Sequence, residues 1–204
     1  MVCVYREIEG KIVCPSVLIK NTKAMIDAIK YLYNMWHKKI GYFRHLVRAK
    51  EITILKRYKG YLEGLKTLGL KACYNNIYIY NNPNSININS AYEIYKNYLR
   101  NNMNKIDATA IITQNDILVI ALIRVLKDQG IKVSEDISIM GFDNIAISQF
   151  VDPPLTTTKQ PKKELGLQGM RLLLDIINKK SVDNKIKYLE TSIIERCSVQ
   201  KYEN

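Results

Sequence analysis

Two short apolar runs joined by one amphipathic segment constrain this chain more than anything else in it. Residues 108–113 read ATAIIT, an apolar, β-branched run without polar alternation, which reads as a strand buried on both faces. Asn115 and Asp116 follow, and a short side-chain oxygen at that place accepts the orphan amide hydrogens of a first helical turn. Val119, Leu122, Ile123 and Leu126 then recur on spacings of three and four, and Gly130 supplies the left-handed residue that often closes a helix. Residues 137–142 form a second buried strand that delivers Asp143 and Asn144 to its carboxyl end. A strand–helix–strand unit with short connections belongs to a parallel sheet, in which ligands lie beyond the carboxyl ends of the strands. Asn115, Asp116, Asp143 and Asn144 all emerge at that edge.

The same alternation fills the rest of the chain. A helix starts at Asn21 or Thr22 and turns Met25, Ala28, Ile29 and Leu32 to one side. Residues 40–43 and 77–80 read as strands. Residues 53–68 read as a helix with Leu55, Tyr58, Leu62 and Leu65 inward, closed by Gly69. Residues 91–102 read as another, with Tyr95, Tyr98 and Leu99 inward. Pro161 opens a last helix, reaching about residue 178, with Leu165, Met170, Leu172, Leu173 and Ile176 mostly inward. Residues 2–5 read as a short opening strand and 188–195 as the final one. Residues 198–204 read as a frayed tail.

Composition excludes several classes of function. The net charge of +12 invites a nucleic-acid partner, but the lysines are scattered over many helices and turns, as on a solvated surface. Four cysteines form no Cys-x-x-Cys pair and there are two histidines, so neither a zinc site nor a disulfide framework is expected. His37 reads as a capping or packing residue. No apolar run is long enough to span a membrane and the first residues lack a signal-peptide pattern, which points to a soluble cytoplasmic protein. There is no Gly-rich phosphate loop, no nucleophile elbow and no histidine placed beside a nucleophile, so no enzyme and no cofactor is expected. An Asp116–Asp143 carboxylate pair for hydrolysis is the weaker reading, because both residues sit at strand-end caps.

Six segments in this order, HKKIGY, RYKGYLEGL, QNDILVIALIRVLKDQGIKV, EDISIMGFDN, PPLTTTKQP and LETSIIER, resemble the effector-binding core of LacI/GalR-type transcription regulators. That fold is shared with periplasmic sugar-binding proteins. The resemblance implies an α/β architecture of parallel sheets flanked by helices, with one near-complete subdomain and part of a second. Residues 1–18 and 158–180 would be a remnant of the first subdomain, and 19–157 with 181–204 the second. The family's helix-turn-helix, hinge helix and opening strands find no counterpart, so operator DNA would be reached only through a headpiece this chain lacks.

The resemblance also implies a site. Arg57, three residues before Gly60, stands where the family's arginine forks onto ligand oxygens, which suits paired hydroxyls or a carboxylate. Asn115 and Asp143 would converge on the same cleft, with Gln160 in a hinge segment. Tyr5 and Arg6 would face the cleft, Tyr5 standing where an aspartate is common. Ile86 takes the place of an aromatic that stacks on a sugar. Amide, carboxylate and guanidinium together read hydroxyls that both donate and accept, so the implied effector is a sugar. The family pairs as homodimers through the helix 116–127 and the loop 145–151, where Ile120 and Ile147 look exposed. Two other readings stay open: a solute-binding protein of a sugar transporter on the same fold, and a truncated product without independent function.

Overall fold

The computed structural model describes residues 2–4, 14–46, 52–72, 77–81, 87–102, 106–178 and 186–203, without the side chains of 44–46 and 77–81. Within them the chain runs β1 (Cys3–Val4), β2 (Ser16–Ile19), α1 (Asn21–Asn34), β3 (Ile40–Leu46), α2 (Ile52–Thr67), β4 (Ile77–Asn81) and α3 (Ile88–Asn101). It continues through β5 (Ala110–Thr113), α4 (Asp116–Asp128), β6 (Ser138–Asp143), a 3-10 turn (Ala146–Gln149), β7 (Thr156–Lys159), α5 (Lys162–Ile177), β8 (Ile186–Leu189) and β9 (Ser192–Ile194). Among these described residues no helix is long and apolar enough to cross a membrane.

Two sheets result, as expected of an α/β chain with parallel strands. The larger has the order β4-β3-β5-β6-β7-β9, parallel except for β9, which runs antiparallel to β7. The smaller is parallel with the order β1-β2-β8. The apolar runs lack alternation because the large sheet is covered on both faces. In β5, Ala110 and Ile112 join the core under α1 and α2, with Met25, Ile29, Tyr61 and Leu65. Ile111 between them joins the core under α3 and α4, with Tyr95, Leu99, Leu118 and Leu122. Gly69 and Gly130 take the left-handed φ expected of helix-closing glycines, +68° and +74°.

Some sequence expectations are corrected. Leu55, expected inward, is 52% exposed, and Arg57, Gly60, Tyr61, Gly64 and Leu65 are the buried residues of α2. The phase of α2 is set by its closest approach to α1: a Cβ on Gly60 would lie 2.4 Å from the Thr22 carbonyl oxygen. Met170, also expected inward, is 57% exposed, and α5 buries Leu165 and Gly169. Among the described residues three strands pair in the sheet that α5 packs on, and Leu167, Met170, Leu174 and Ile177 of α5 stay exposed. The single last strand expected over 188–195 is two strands, β8 in the small sheet and β9 in the large one.

The tail is not frayed. The Ile139 amide donates to the Ser198 carbonyl at 2.7 Å, the Gln200 amide to Ser138 Oγ at 3.0 Å and the Tyr202 amide to the Met35 carbonyl at 2.9 Å. His37 packs against this tail, buried between Thr109 Oγ1 at 3.0 Å and the Gln200 carbonyl at 2.9 Å. Burial pushes its pKa down.

Candidate functional site

The large sheet reverses direction between β3 and β5. From β3 the chain steps outward through α2 to β4, and then returns to the other side of β3 as β5. Helices α2 and α4 therefore lie on opposite faces, and the carboxyl ends of β3 and β5 form the switch point, beyond which folds of this kind hold ligands. Arg57 reaches this switch point from α2, where it is buried. Its Nε donates to Asn21 Oδ1 at 3.0 Å and its Nη1 to the Gln114 carbonyl, while Nη2 lies 3.2 Å from Asp143 Oδ1. The guanidinium carbon sits 3.8 Å from the centre of the Phe142 ring. In this arrangement each of the three guanidinium nitrogens of Arg57 meets a protein oxygen.

Asp143 ends β6 with φ +117° and Asn144 follows at +45°, two consecutive non-glycine residues at positive φ. Such strained backbone persists only where surroundings hold it. Arg196 supplies part of that hold, donating from Nη2 to Asn144 Oδ1 at 2.9 Å and from Nη1 to the Leu155 carbonyl at 2.6 Å. Asp143 Oδ1 accepts from both Arg57 and Gln160 Nε2. Burial pushes the Asp143 pKa up and the charge of Asp116 adds to it, against the opposing pull of Arg57, Gln160 and Lys162. Its Oδ2 has no partner among the described residues.

Of the sequence-derived candidates, Arg57, Asp143 and Gln160 are brought into one bonded cluster. Asn115 stands at the neighbouring strand end, where its Oδ1 accepts from the Leu118 amide at 3.0 Å and caps α4. Its Nδ2 donates to nothing among the described residues. Tyr5, Arg6 and Ile86 lie outside the described residues. Asp116 is buried and braces the turn after β6: it accepts from the Ile145 amide at 2.9 Å, Ser148 Oγ at 2.7 Å and Thr157 Oγ1 at 2.6 Å. Gly141 makes room for it, since a Cβ there would lie 2.2 Å from Asp116 Oδ1.

Sequence reasoning missed Asn21, Phe142 and the Gln114 carbonyl, which together fix Arg57. It also missed Thr158, whose Oγ1 is buried without a hydrogen-bond partner among the described residues, on the strand position paired with Phe142. A polar residue opening α1 and an aromatic next to Asp143 were visible in sequence, but only the fold brings them to Arg57. Among the described residues the chain passes between the two sheets three times, at 20, 160–161 and 190–191. Arg57 is bonded next to the first passage through Asn21, and Asp143 to the second through Gln160. No group of three or more metal-ligating side chains occurs among the described residues.

Residues 29–199 match the family model described as periplasmic binding protein-like domain. Among curated relatives, the HTH-type transcriptional repressor CytR of Escherichia coli K12 is 32% identical over 91% of this chain and 52% of its own length. The repressor PurR of Pasteurella multocida is 34% identical over 85% of this chain and 49% of its own. The chain thus spans about half the length of the curated relatives it matches. A LacI family transcriptional regulator from Enterococcus faecalis V583, solved with bound ribose, superposes with a TM-score of 0.78 at 26% identity, covering 97% of this chain and 67% of that one.

Proposed function

The chain belongs to the periplasmic binding protein-like domain family, in the form carried by LacI-type transcription regulators, and on that premise we propose that it binds a small effector, a sugar, for such a regulator. Its relatives are repressors, not enzymes. The observation that carries the reading is the cluster at the strand ends. Asp143 offers one unpartnered carboxylate oxygen and Asn115 one unpartnered amide nitrogen at neighbouring strand ends, an acceptor and a donor suited to sugar hydroxyls. Arg57 serves as a positioning residue that holds the carboxylate. The two sheets with their helices act as two subdomains, the described residues 2–4, 14–19, 161–178 and 186–189 belonging to the smaller.

The signal follows from the bonds to the passages. A hydroxyl donating to the free Oδ2 of Asp143 draws charge from the carboxylate that Gln160 and Arg57 hold through Oδ1, and so alters what ties the subdomains at the second passage. A ligand that binds one closure angle better than another shifts their populations. Pairing of two copies through α4 and the turn after β6 would carry the shift to a DNA-reading headpiece. Ile117, Ile147 and Phe150, on α4 and in and just after the 3-10 turn, are each exposed apolar residues there.

The test is a thermal-shift panel of pentoses and hexoses beginning with ribose, which the E. faecalis regulator holds. At about a hundredfold excess over Kd, a true effector raises the melting temperature by roughly 5 °C or more. A panel in which no sugar moves it would remove the sugar from the proposal.

A further inference from the structure

A second pocket opens at the other end of the large sheet. Lys39 and Thr109 line it, and they directly precede β3 and β5, so it lies at the amino ends of strands whose carboxyl ends form the cleft. Its volume is about 710 Å3, within the range of small-molecule sites. Tyr33, Trp36 and Tyr202 give it aromatic walls, and Lys38 and Lys39 give it positive charge. Lys39 pairs with Asp107 at 2.7 Å, whereas Lys38 makes no ion pair among the described residues. Lys201 brings a third cation to the rim, its Nζ 4.0 Å from the centre of the Trp36 ring.

Trp36 is the least expected of these. It follows the end of α1 with φ +70°, in a turn closed by the His37 amide donating to the Leu32 carbonyl at 3.1 Å. That position favours glycine, because a bulky side chain in the left-handed region is strained. The chain instead puts its one tryptophan there and leaves it 58% exposed. Neither backbone geometry nor core packing accounts for that choice. The wall opposite is preformed, since the bonds that pin the tail hold Tyr202 against Met35 and 5.8 Å from the His37 ring.

We propose that this pocket is a second binding site, distal to the cleft, for a small anion carrying a flat aromatic ring, of the nucleoside phosphate class. The ring stacks among Trp36, Tyr33 and Tyr202, and the phosphate meets Lys38 and Lys201.

The single tryptophan makes the site its own reporter. The full chain is titrated with adenosine monophosphate while Trp36 fluorescence is read, with adenosine and inorganic phosphate as parallel arms. Saturable quenching is expected, with affinity about tenfold higher for the monophosphate than for either part alone. By calorimetry, Lys38→Ala weakens binding about fivefold, and Trp36→Gly, which suits the left-handed backbone and keeps the fold, abolishes it. Asp143→Asn, altered only in the cleft, binds the monophosphate as the parent does. No saturable quenching, equal affinity for phosphate alone, or binding that survives Trp36→Gly but is lost in Asp143→Asn would each overturn the proposal.

Discussion

Asp143 and Arg57 are legible in the sequence for different reasons. Asp143 stands at the end of an apolar run, where a parallel sheet presents its ligand groups. Arg57 is recognised by resemblance alone, since nothing local separates it from a solvated helix arginine. The sequence suggested a guanidinium free to fork onto ligand, whereas here it is bound by Asn21, Gln114 and Asp143, contacts from three other elements that no spacing rule reveals. Arg57→Met is expected to destabilise the protein by about 3 kcal/mol in urea denaturation, because it strands a largely buried carboxylate. A change under 1 kcal/mol, roughly that of an exposed pair, would contradict the burial argument. His37 gives a pH test. Its folded-state pKa is pushed below the ordinary histidine value, so the unfolded chain binds more protons as pH falls below about 6.5. Its contribution is present above that value and is lost as pH falls through the folded value. Melting temperatures should fall from about pH 7 to pH 5, with a shallower slope in His37→Gln.

Among the elements, α4 and its flanking strands were the most readable, because cap, stripe and closing glycine agree. Asn115 has two candidate duties there, which Asn115→Ser separates. Serine caps about as well as asparagine, so stability should stay within a few tenths of a kcal/mol, while loss of the amide donor weakens effector binding several-fold. Unchanged binding would leave Asn115 a cap only. The faces of α2 and α5 were less readable. Periodicity gives an apolar stripe but not its phase, and the phase of α2 follows from the close approach of Gly60 to Thr22 on α1. For α5 the expected burial holds at Leu165, is partial at Leu172, Leu173 and Ile176, and fails at Met170, which is exposed.

At the scale of the whole molecule, the two-sheet α/β architecture was legible from the alternation of runs and from the ordered resemblance. The passages between sheets were less so: β8 and β9 are separated by two residues, and only pairing assigns them to different sheets. The proposed pairing of two copies rests on Ile117, Ile147 and Phe150, the last 74% exposed. In sedimentation the parent should run as a dimer at micromolar concentration, and Phe150→Asp as a monomer with an unchanged melting temperature. A monomeric parent would remove that surface from the proposal. Whether the strand-end cluster holds the effector is read by calorimetry of Asp143→Asn against the parent, using the sugar that gives the largest thermal shift. Asparagine keeps an oxygen for Arg57 and Gln160 but turns the free acceptor into a donor. Effector binding through Asp143 predicts a loss of affinity of about tenfold or more. Equal affinity in parent and variant would contradict it and take Asp143 out of the site.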